Sequence, residues 1–498
     1  MTNKINMKTK YIGLLIVLLF GFTACESDDD TLSDPLIDDT VSNPPTPTFT
    51  SGSADFSTFV SIGNSLTAGF SDNSLFAKGQ AVSFPNLLAQ RMALAGGGEF
   101  TQPLMSDDVG GLLFNGMPTS NGPRLIFNAV TQGLEPASGT PSTEITNIIP
   151  GPYNNMGVPG AKSFHLLGDT YGDVNGLLTN PATANPYYVR MASNPNASMI
   201  EDAMDLSPTF FSLWIGNNDV LGYATSGGDG SNPITDVGTF TFAMNTLVST
   251  LTSGGAEGIL ANIPSVTDAP FFTTVPYNAV PLDAATAGAL NAAFAAYNGG
   301  LAQLQGLGLI SADEVAARTV TYAAGQNPVL ILDETLTDLT AFNPALVNMR
   351  PATPDDLLVL SSSSFIGTTV GGNPQLINGV SVPLADNWVI IPSELQEIQA
   401  ATATFNGIIN GLAEDNDLAL FDVNTFFNGV ATNGFVVNDF YTMTAEFVTG
   451  GTFSLDGIHP SPRGYAVVTN QMIAAINEKY GSNLPDVNPV DYTGLYIE

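Results

Sequence analysis

The stretch FSTFVSIGNSLTAG, residues 56–69, sets the fold class of this 498-residue chain. Its first half is apolar and typical of a buried strand, and at Gly63 it turns into a short polar segment that predicts the start of a helix. Ser65 lies in that segment. A serine between a strand and a helix either caps the helix or presents its hydroxyl to a reaction, and residues elsewhere in the chain decide between these interpretations.

The same alternation of apolar runs and amphipathic helices continues along the chain and favours an α/β fold with a parallel sheet. Further buried strands are predicted at residues 208–216, 256–264 and 417–423. Helices are predicted at residues 84–95, at 393–416 with Ser393 as the cap, and at 462–481 with Gly481 as the last residue. The tail, residues 481–498, has an extended and non-helical pattern.

Two long stretches interrupt this scheme, at about residues 71–150 and 270–390. The first is rich in Gly, Pro and Asn, and the second contains an alanine-rich helix pattern at residues 282–305. We interpret both as insertions in one domain, residues 55–480. Because loops often carry specificity, we expect the insertions to select the substrate.

The beginning of the chain predicts export. Lysines precede an apolar run too short to span a bilayer, so residues 1–24 are interpreted as a signal peptide. FTAC, residues 22–25, resembles the lipobox of bacterial lipoproteins, which implies a lipid on Cys25, the only cysteine. Residues 25–54 are then a flexible tether. The aspartates after Cys25 resemble surface-export signals of Bacteroidota lipoproteins, or they are a solvated charge run. An outer-membrane lipoprotein, periplasmic or surface-exposed, is expected.

The composition limits the partners of the chain. With 12 Lys and Arg against 46 Asp and Glu, the formal net charge is −34, which disfavours nucleic acid as a partner. No Walker loop or G-x-G-x-x-G follows a predicted strand, and no H-E-x-x-H is present. The segment 226–232 has oxygen ligands without the spacing of a calcium loop. We expect no cofactor and no metal.

A serine nucleophile needs a general base, usually histidine, and the chain has two histidines. His459 follows Asp456 by three residues, a spacing that lets the carboxylate orient the imidazole. His165 has no acid at short spacing, and a structural or rim role is preferred for it. The absence of G-x-S-x-G disfavours the α/β-hydrolase fold.

An acyl-transfer site also needs hydrogen-bond donors for the oxyanion. NNMGVPGAKS, residues 154–163, offers the backbone N–H of Gly160 at a bend, and WIGNNDVLG, residues 214–222, offers Asn218 after a buried strand. The backbone N–H of Ser65 is the third candidate. Trp214 is expected in the core, and Asp219 is expected to bond backbone near the site.

In this order, GNSLTAG, NMGVPGA, GNND and DGIHPS resemble the four sequence blocks of the SGNH hydrolases, or GDSL esterases and lipases. The resemblance implies Ser65 as the nucleophile, Gly160 and Asn218 as oxyanion donors, His459 as the base and Asp456 as its orienter. The implied fold is a three-layer α/β/α sandwich with a flavodoxin-like parallel sheet. Asn64 stands where the family usually has an acid, and an amide can keep the hydrogen bonds of the turn.

These observations predict a lipid-anchored serine ester hydrolase that forms an acyl-enzyme and acts on carboxylic esters. Lipid, aryl and glycan esters all suit the chemistry, and the apolar content of the insertions favours acyl chains slightly. Two alternatives stay open. One is a non-catalytic surface lipoprotein that binds a glycan or a protein partner on the same scaffold, and the other is an acyltransferase that uses the same residues.

Overall fold

The computed structural model describes residues 47–438 and 440–497. The chain divides into two units, Met1–Thr48 and Phe49–Glu498. The predicted signal peptide, the lipid on Cys25 and most of the predicted tether therefore lie outside the described residues. The end of that tether belongs to the second unit, because Ser53 N–H donates to the carbonyl of Tyr480 at 2.8 Å and Ala54 is buried.

The second unit is a mixed α/β structure built on a central parallel sheet of five strands. In chain order these are β1 Phe59–Gly63, β2 Asn155–Gly157, β3 Phe210–Trp214, β4 Glu257–Ala261 and β5 Ala419–Phe421. Their order in the sheet is β5-β4-β3-β1-β2, and every neighbouring pair is parallel. Numbered along the chain, this is the 2-1-3-4-5 order of flavodoxin-like sheets. The strand β2 is not among the strands predicted from the sequence.

Helices cover both faces of the sheet. Alternate residues of β3 point to opposite sides: Phe211 and Leu213 belong to one hydrophobic core, and Phe210 and Trp214 to the other. The α-helices of the described residues are α1 Ser65–Ala68, α2 Ala77–Ala81, α3 Phe84–Ala93, α4 Pro186–Met191, α5 Met199–Met204, α6 Asn217–Thr225, α7 Val237–Thr252, α8 Pro270–Thr273, α9 Ala284–Gly306, α10 Ala312–Arg318, α11 Pro392–Asp415, α12 Val423–Asn433 and α13 Pro462–Tyr480. Helices α7 and α11 line the first core, and α3 and α13 line the second.

Short antiparallel ribbons and single-turn 3-10 helices make up most of the remaining regular structure. The ribbons pair Leu113–Phe114 with Met117–Pro118, Leu125–Asn128 with Gly133–Pro136, Val280–Leu282 with Gly325–Asn327, Leu330–Leu332 with Met349–Pro351, Leu357–Leu358 with Val389–Ile390, and Phe435–Val437 with Tyr441–Met443. The 3-10 helices are Ser163–Leu167, Val174–Leu178, Val266–Asp268, Leu360–Ser364, Val370–Gly372, Asp386–Trp388 and Pro489–Asp491.

The two predicted insertions differ in construction. Residues 275–391 contain a hydrophobic core of their own, which includes Leu301, Ile331 and Val389. The segment 71–150 has no such core among the described residues, and most of its buried apolar side chains join the cores of the sheet, as Leu88 of α3 does. The helix α3 therefore packs against the sheet and is not an appendage.

Helix ends follow the expected chemistry with one correction. Gly481 ends α13 in a left-handed conformation, with φ of 66°. Ser393 is not the cap of α11, because the helix begins at Pro392, whose fixed φ suits the first helical position. The carboxylate of Glu394 accepts the N–H of Ile391 at 2.8 Å and caps the helix instead.

None of the helices in the described part of the chain combines the length and the apolar composition that crossing a bilayer requires.

Candidate active site

Ser65 is the first residue of α1, directly after β1. The N-cap is Asn64, whose side-chain oxygen accepts the N–H of Leu66 at 3.0 Å. Helix capping, the alternative role considered for Ser65, is therefore carried out by its neighbour. The hydroxyl of Ser65 instead lies 2.8 Å from Nε2 of His459.

Two glycines allow α1 to sit on the ends of the strands. A Cβ atom on Gly63 would lie 2.2 Å from the Thr67 hydroxyl and 2.3 Å from the carbonyl of Trp214. A Cβ atom on Gly157, at the end of β2, would lie 2.2 Å from the backbone nitrogen of Ala68. Both distances are far below van der Waals contact, so only glycine permits this approach.

The histidine lies in the turn before α13. Nδ1 of His459 is 2.9 Å from Oδ2 of Asp456, and the other oxygen, Oδ1, accepts the backbone N–H groups of Ile458 and His459 at 2.8 and 2.9 Å. A fourth donor comes from a distant part of the chain, the N–H of Asn73, 2.9 Å from Oδ2. The carboxylate is thus held by four hydrogen bonds.

These contacts keep Asp456 ionised. Burial by itself raises the pKa of a carboxyl group, but the charge of His459 and the hydrogen bonds from His459 and Asn73 lower the pKa of Asp456 to about 2. An ionised carboxylate beside Nδ1 keeps the proton of a neutral imidazole on that nitrogen, which leaves Nε2 free to accept a proton from Ser65. The ring of Phe70 packs 4.7 Å from the imidazole.

Asn218 and Gly160 lie on neighbouring segments that hydrogen bonds tie together. The amide of Asn218 donates to the carbonyl of Ala161 at 2.9 Å, and Asp219 accepts the backbone N–H and the hydroxyl of Ser163 at 2.8 and 2.7 Å. The expectation for Asp219, a bond to nearby backbone, is confirmed. Gly160 is exposed and left-handed, with φ of 82°. Asn218 lines the same pocket as Ser65 and His459, whereas Gly160 lies outside its wall.

The pocket beside Ser65 and His459 encloses about 700 Å³ of space free of protein atoms, part of it open to solvent. Its wall is mostly apolar and includes Val220, Ile263, Val266, Phe272, Phe427 and Phe453. Of the described residues, none from 273 to 401 lines it, and none from 71 to 150 does. The expectation that the insertions select the substrate is therefore not supported by the pocket wall.

Asp268 contributes a carboxyl group to this apolar wall. Its Oδ1 accepts a hydrogen bond from Asn428 at 3.3 Å, and its Oδ2 is buried without a hydrogen-bond partner. Burial raises the pKa of Asp268 more than the bond from Asn428 lowers it.

Sequence reasoning missed three side chains around the triad. Asn217 accepts a hydrogen bond from Asn64 at 3.0 Å and so joins the turn of Ser65 to α6. The position of Asn217 in the motif GNND could have indicated this role. Asp72 and Asp268 had no recognisable signal, because their hydrogen-bond partners, the N–H of Leu455 and the amide of Asn428, are distant in the sequence.

Two other expectations concern residues near the site. Nδ1 of His165 accepts the N–H of Lys162 at 3.1 Å, and its ring stacks on Tyr171 at 4.6 Å, in keeping with a structural role. Burial and, less strongly, the charge of Lys162 lower the pKa of His165 to about 4, so the ring is neutral. Trp214 is fully buried, and its indole N–H donates to the carbonyl of Asn262 at 3.1 Å, although it also contributes to the pocket wall.

A cluster of acidic residues lies outside this pocket. Glu334, Asp386 and Glu394 each place one carboxylate oxygen within 4.8 Å of the others. Burial and mutual repulsion raise the pKa of Asp386 to about 6 and that of Glu394 to about 8. The cluster can therefore be stabilised by bound protons as well as by a cation. In the segment 226–232, the carboxylate of Asp229 accepts the N–H of Ser231 within its own turn.

Comparison with known proteins gives distant similarity only. No protein-family model matches the chain, and no curated protein matches it. An α/β hydrolase, LAE5, from the metagenome of Lake Arreo is similar at a TM-score of 0.32 and 11% identity, over 85% of this chain and 96% of that one. The lipase/acylhydrolase from Enterococcus faecalis has a TM-score of 0.30 and 11% identity, over 86% and 98% of the two chains. Similarity at this level supports no conclusion about activity.

Proposed function

We propose that the protein is a serine ester hydrolase of the SGNH type that works through an acyl-enzyme. The observation that carries the proposal is the hydrogen-bonded chain from Ser65 through His459 to Asp456, with distances of 2.8 and 2.9 Å. The position of Ser65 after β1, at the carboxyl end of a parallel strand, is where sites occur in open α/β sheets.

In this mechanism, Oγ of Ser65 attacks the ester carbonyl while Nε2 of His459 takes the hydroxyl proton. The backbone N–H groups of Ser65 and Gly160 and the amide of Asn218 stabilise the oxyanion. His459 then gives its proton to the departing alcohol. A water molecule, deprotonated by the same nitrogen, releases the acid from Ser65 and completes the cycle.

The pocket favours esters with an uncharged apolar acyl group. Side chains such as Val220, Phe272 and Phe427 gain free energy when they bury alkyl surface, about 0.8 kcal/mol for each methylene group. We therefore expect kcat/KM to rise with acyl chain length until the pocket is full. An enzyme that cleaved acetyl esters and ignored longer chains would contradict this preference.

The direct test compares a substitution of Ser65 with a matched substitution of a control serine. We expect Ser65→Ala to abolish hydrolysis of short p-nitrophenyl esters while the melting temperature stays close to that of the wild type. Ser61→Ala is the control, because Ser61 lies in β1, away from the pocket wall, and its hydroxyl accepts a hydrogen bond from the hydroxyl of Ser212 across the sheet, at 2.6 Å. Turnover that persists in Ser65→Ala would refute the proposal.

The lipoprotein interpretation, an outer-membrane anchor through Cys25, rests on the sequence. Mass spectrometry of the chain from its native membrane tests it, and an unmodified Cys25 would contradict it.

The acyltransferase alternative uses the same residues, and product analysis with added alcohols or sugars separates it from hydrolysis. A non-catalytic binding protein has no need for the ordered triad, and inertness toward all esters would favour it.

A further inference from the structure

A tight turn at residues 71–74 lies beside the loop that holds Asp456. Ser71 and Ser74 exchange backbone hydrogen bonds at 3.1 and 3.0 Å, and the two residues between them have positive φ, 51° for Asp72 and 64° for Asn73. This is the pattern of a type I′ turn, which Asp and Asn tolerate better than most residues. The left-handed backbone brings both N–H groups toward the Asp456 loop.

Three hydrogen bonds join this turn to three consecutive residues of the loop. The N–H of Asp72 donates to the hydroxyl of Ser454 at 3.0 Å, and Oδ1 of Asp72 accepts the N–H of Leu455 at 2.9 Å. The N–H of Asn73 donates to Oδ2 of Asp456 at 2.9 Å, the same oxygen that faces His459. The turn and the loop are separated by more than 380 residues of sequence, and they meet at the carboxylate that orients the base.

Asp72 is itself a buried acid. It is 2% exposed, and its Oδ2 has no hydrogen-bond partner. Burial, and to a smaller degree the charge of Asp456, raise the pKa of Asp72 to about 7, although the Leu455 bond and the charge of Arg124 act in the opposite direction. Tyr496 also faces this group, and burial and the Asp72 charge raise its pKa to about 12.

We propose that Asp72 is a positioning residue of the active site: through the turn at 71–74 it holds the Asp456 carboxylate against His459, and its charge strengthens that arrangement. The proposal rests on the proposed function. When His459 takes the proton from Ser65 it becomes positively charged, and a second carboxylate behind Asp456 stabilises that charge. A neutral Asp72 keeps its place in the turn without this electrostatic contribution.

This role predicts a pH-dependent defect. Asp72→Asn keeps the acceptor for Leu455 and the left-handed turn but can never ionise. At pH 5.5, where Asp72 of the wild type is mostly protonated, we expect the variant and the wild type to have the same kcat. At pH 8.5 we expect kcat of the variant to be lower by about threefold to tenfold, the effect of one nearby charge. Asp72→Ser, which also offers an oxygen to Leu455, should diverge in the same direction and serves if the first variant folds poorly.

Asp386→Asn is the matched control, because it removes another carboxyl group of raised pKa that lies outside the pocket wall. Its kcat should equal that of the wild type at both pH values. Equal kcat for Asp72→Asn and wild type at pH 8.5, or an equal loss at both pH values, would overturn the proposal, since a purely structural role has no pH dependence.

A second measurement does not need turnover and so separates the positioning role from the proposed function. The low-field proton resonance of a carboxylate-bonded Nδ1–H can come from His459 but not from His165, whose Nδ1 accepts the N–H of Lys162. At pH 8.5 this resonance should move in Asp72→Asn and stay in place in Asp386→Asn. An unmoved resonance would contradict the role of Asp72 even in an active enzyme, and a moved one would support it even if every ester were inert.

Discussion

The two long segments that interrupt the α/β pattern, residues 71–150 and 270–390, differ in what they do for the rest of the molecule. Residues 275–391 build a core of their own around α9 and line no part of the pocket. Of the predicted segment 270–390, only Phe272 lines it. The segment 71–150 has no separate core among its described residues, but its turn at 71–74 holds Asp456. A long segment can therefore stay away from the candidate site although it is large, or contact that site through a few hydrogen bonds.

The largest expected effect tests the contact between the first segment and the site. Asp456→Asn removes the negative charge that orients His459 and stabilises the positive charge that His459 acquires during the reaction. We expect kcat to fall by about 10³- to 10⁴-fold with little change in KM. Steady-state kinetics on a soluble ester measures it. A loss below tenfold would mean that neither Asp456 nor the turn that holds it contributes much to catalysis.

The next prediction concerns the second segment. Arg350 is buried and bonds Asp333 at 2.5 Å and Asp356 at 2.7 Å. Arg350→Met leaves two buried carboxylates unpaired, so we expect the free energy of unfolding of this region to fall by about 3–5 kcal/mol in urea denaturation. The kcat of protein that stays folded should be unchanged. A kcat that falls in parallel with stability would show that the second segment is coupled to the active site.

A buried acid in each of the two segments should contribute to the free energy of unfolding with opposite pH dependence. The pKa of Asp72 is raised from 3.8 to about 7, so its contribution to stability is lost as the pH rises between these values, and Asp72→Asn should gain about 4 kcal/mol over the wild type at pH 8. Although burial opposes it, bonds from Thr335 and Arg350 lower the pKa of Asp333, whose contribution is therefore present at neutral pH and lost in acid. Asp333→Asn should destabilise at pH 7 and progressively less as the pH falls below 4. Denaturation midpoints across pH measure both, and parallel curves would contradict the assignment.

The smallest effect is expected at the exposed ion pair of the first segment. Lys78 is 67% exposed and lies 3.1 Å from Asp108. Because water screens this pair, Lys78→Met should change the free energy of unfolding by less than about 1 kcal/mol. It is the control for Arg350→Met, and a loss as large as that of the buried pair would mean that the first segment is also held together by charge.

The sequence predicted the class of the fold because long apolar runs and amphipathic helices are local patterns. The strand β2 was not predicted because its three residues lie in a stretch rich in Asn and Gly, and it forms only by pairing with β1. The cap of α11 was misassigned to Ser393 because Pro392 occupies the first helical position. The independence of residues 275–391 could not be predicted, since apolar content does not say which core a side chain joins.

At the site, the scarcity of histidine led directly to His459 and Asp456, and both are hydrogen-bonded in one chain with Ser65. The catalytic roles of these residues, and the donor roles of Gly160 and Asn218, stay predictions. Asp72 could not be found from the sequence, because a local pattern carries no information about a partner that follows it by more than 380 residues.

In a serine ester hydrolase built on this site, the hydroxyl of Ser65 is activated by His459. Covalent labelling with a fluorophosphonate probe, followed by intact-mass and peptide mass spectrometry, tests it most directly, because the probe reacts with an activated serine whatever the natural ester is. We predict one adduct, on Ser65, that disappears in a His459→Ala variant that remains folded. An unlabelled wild-type protein, or a probe bound to a different serine, would contradict the claim.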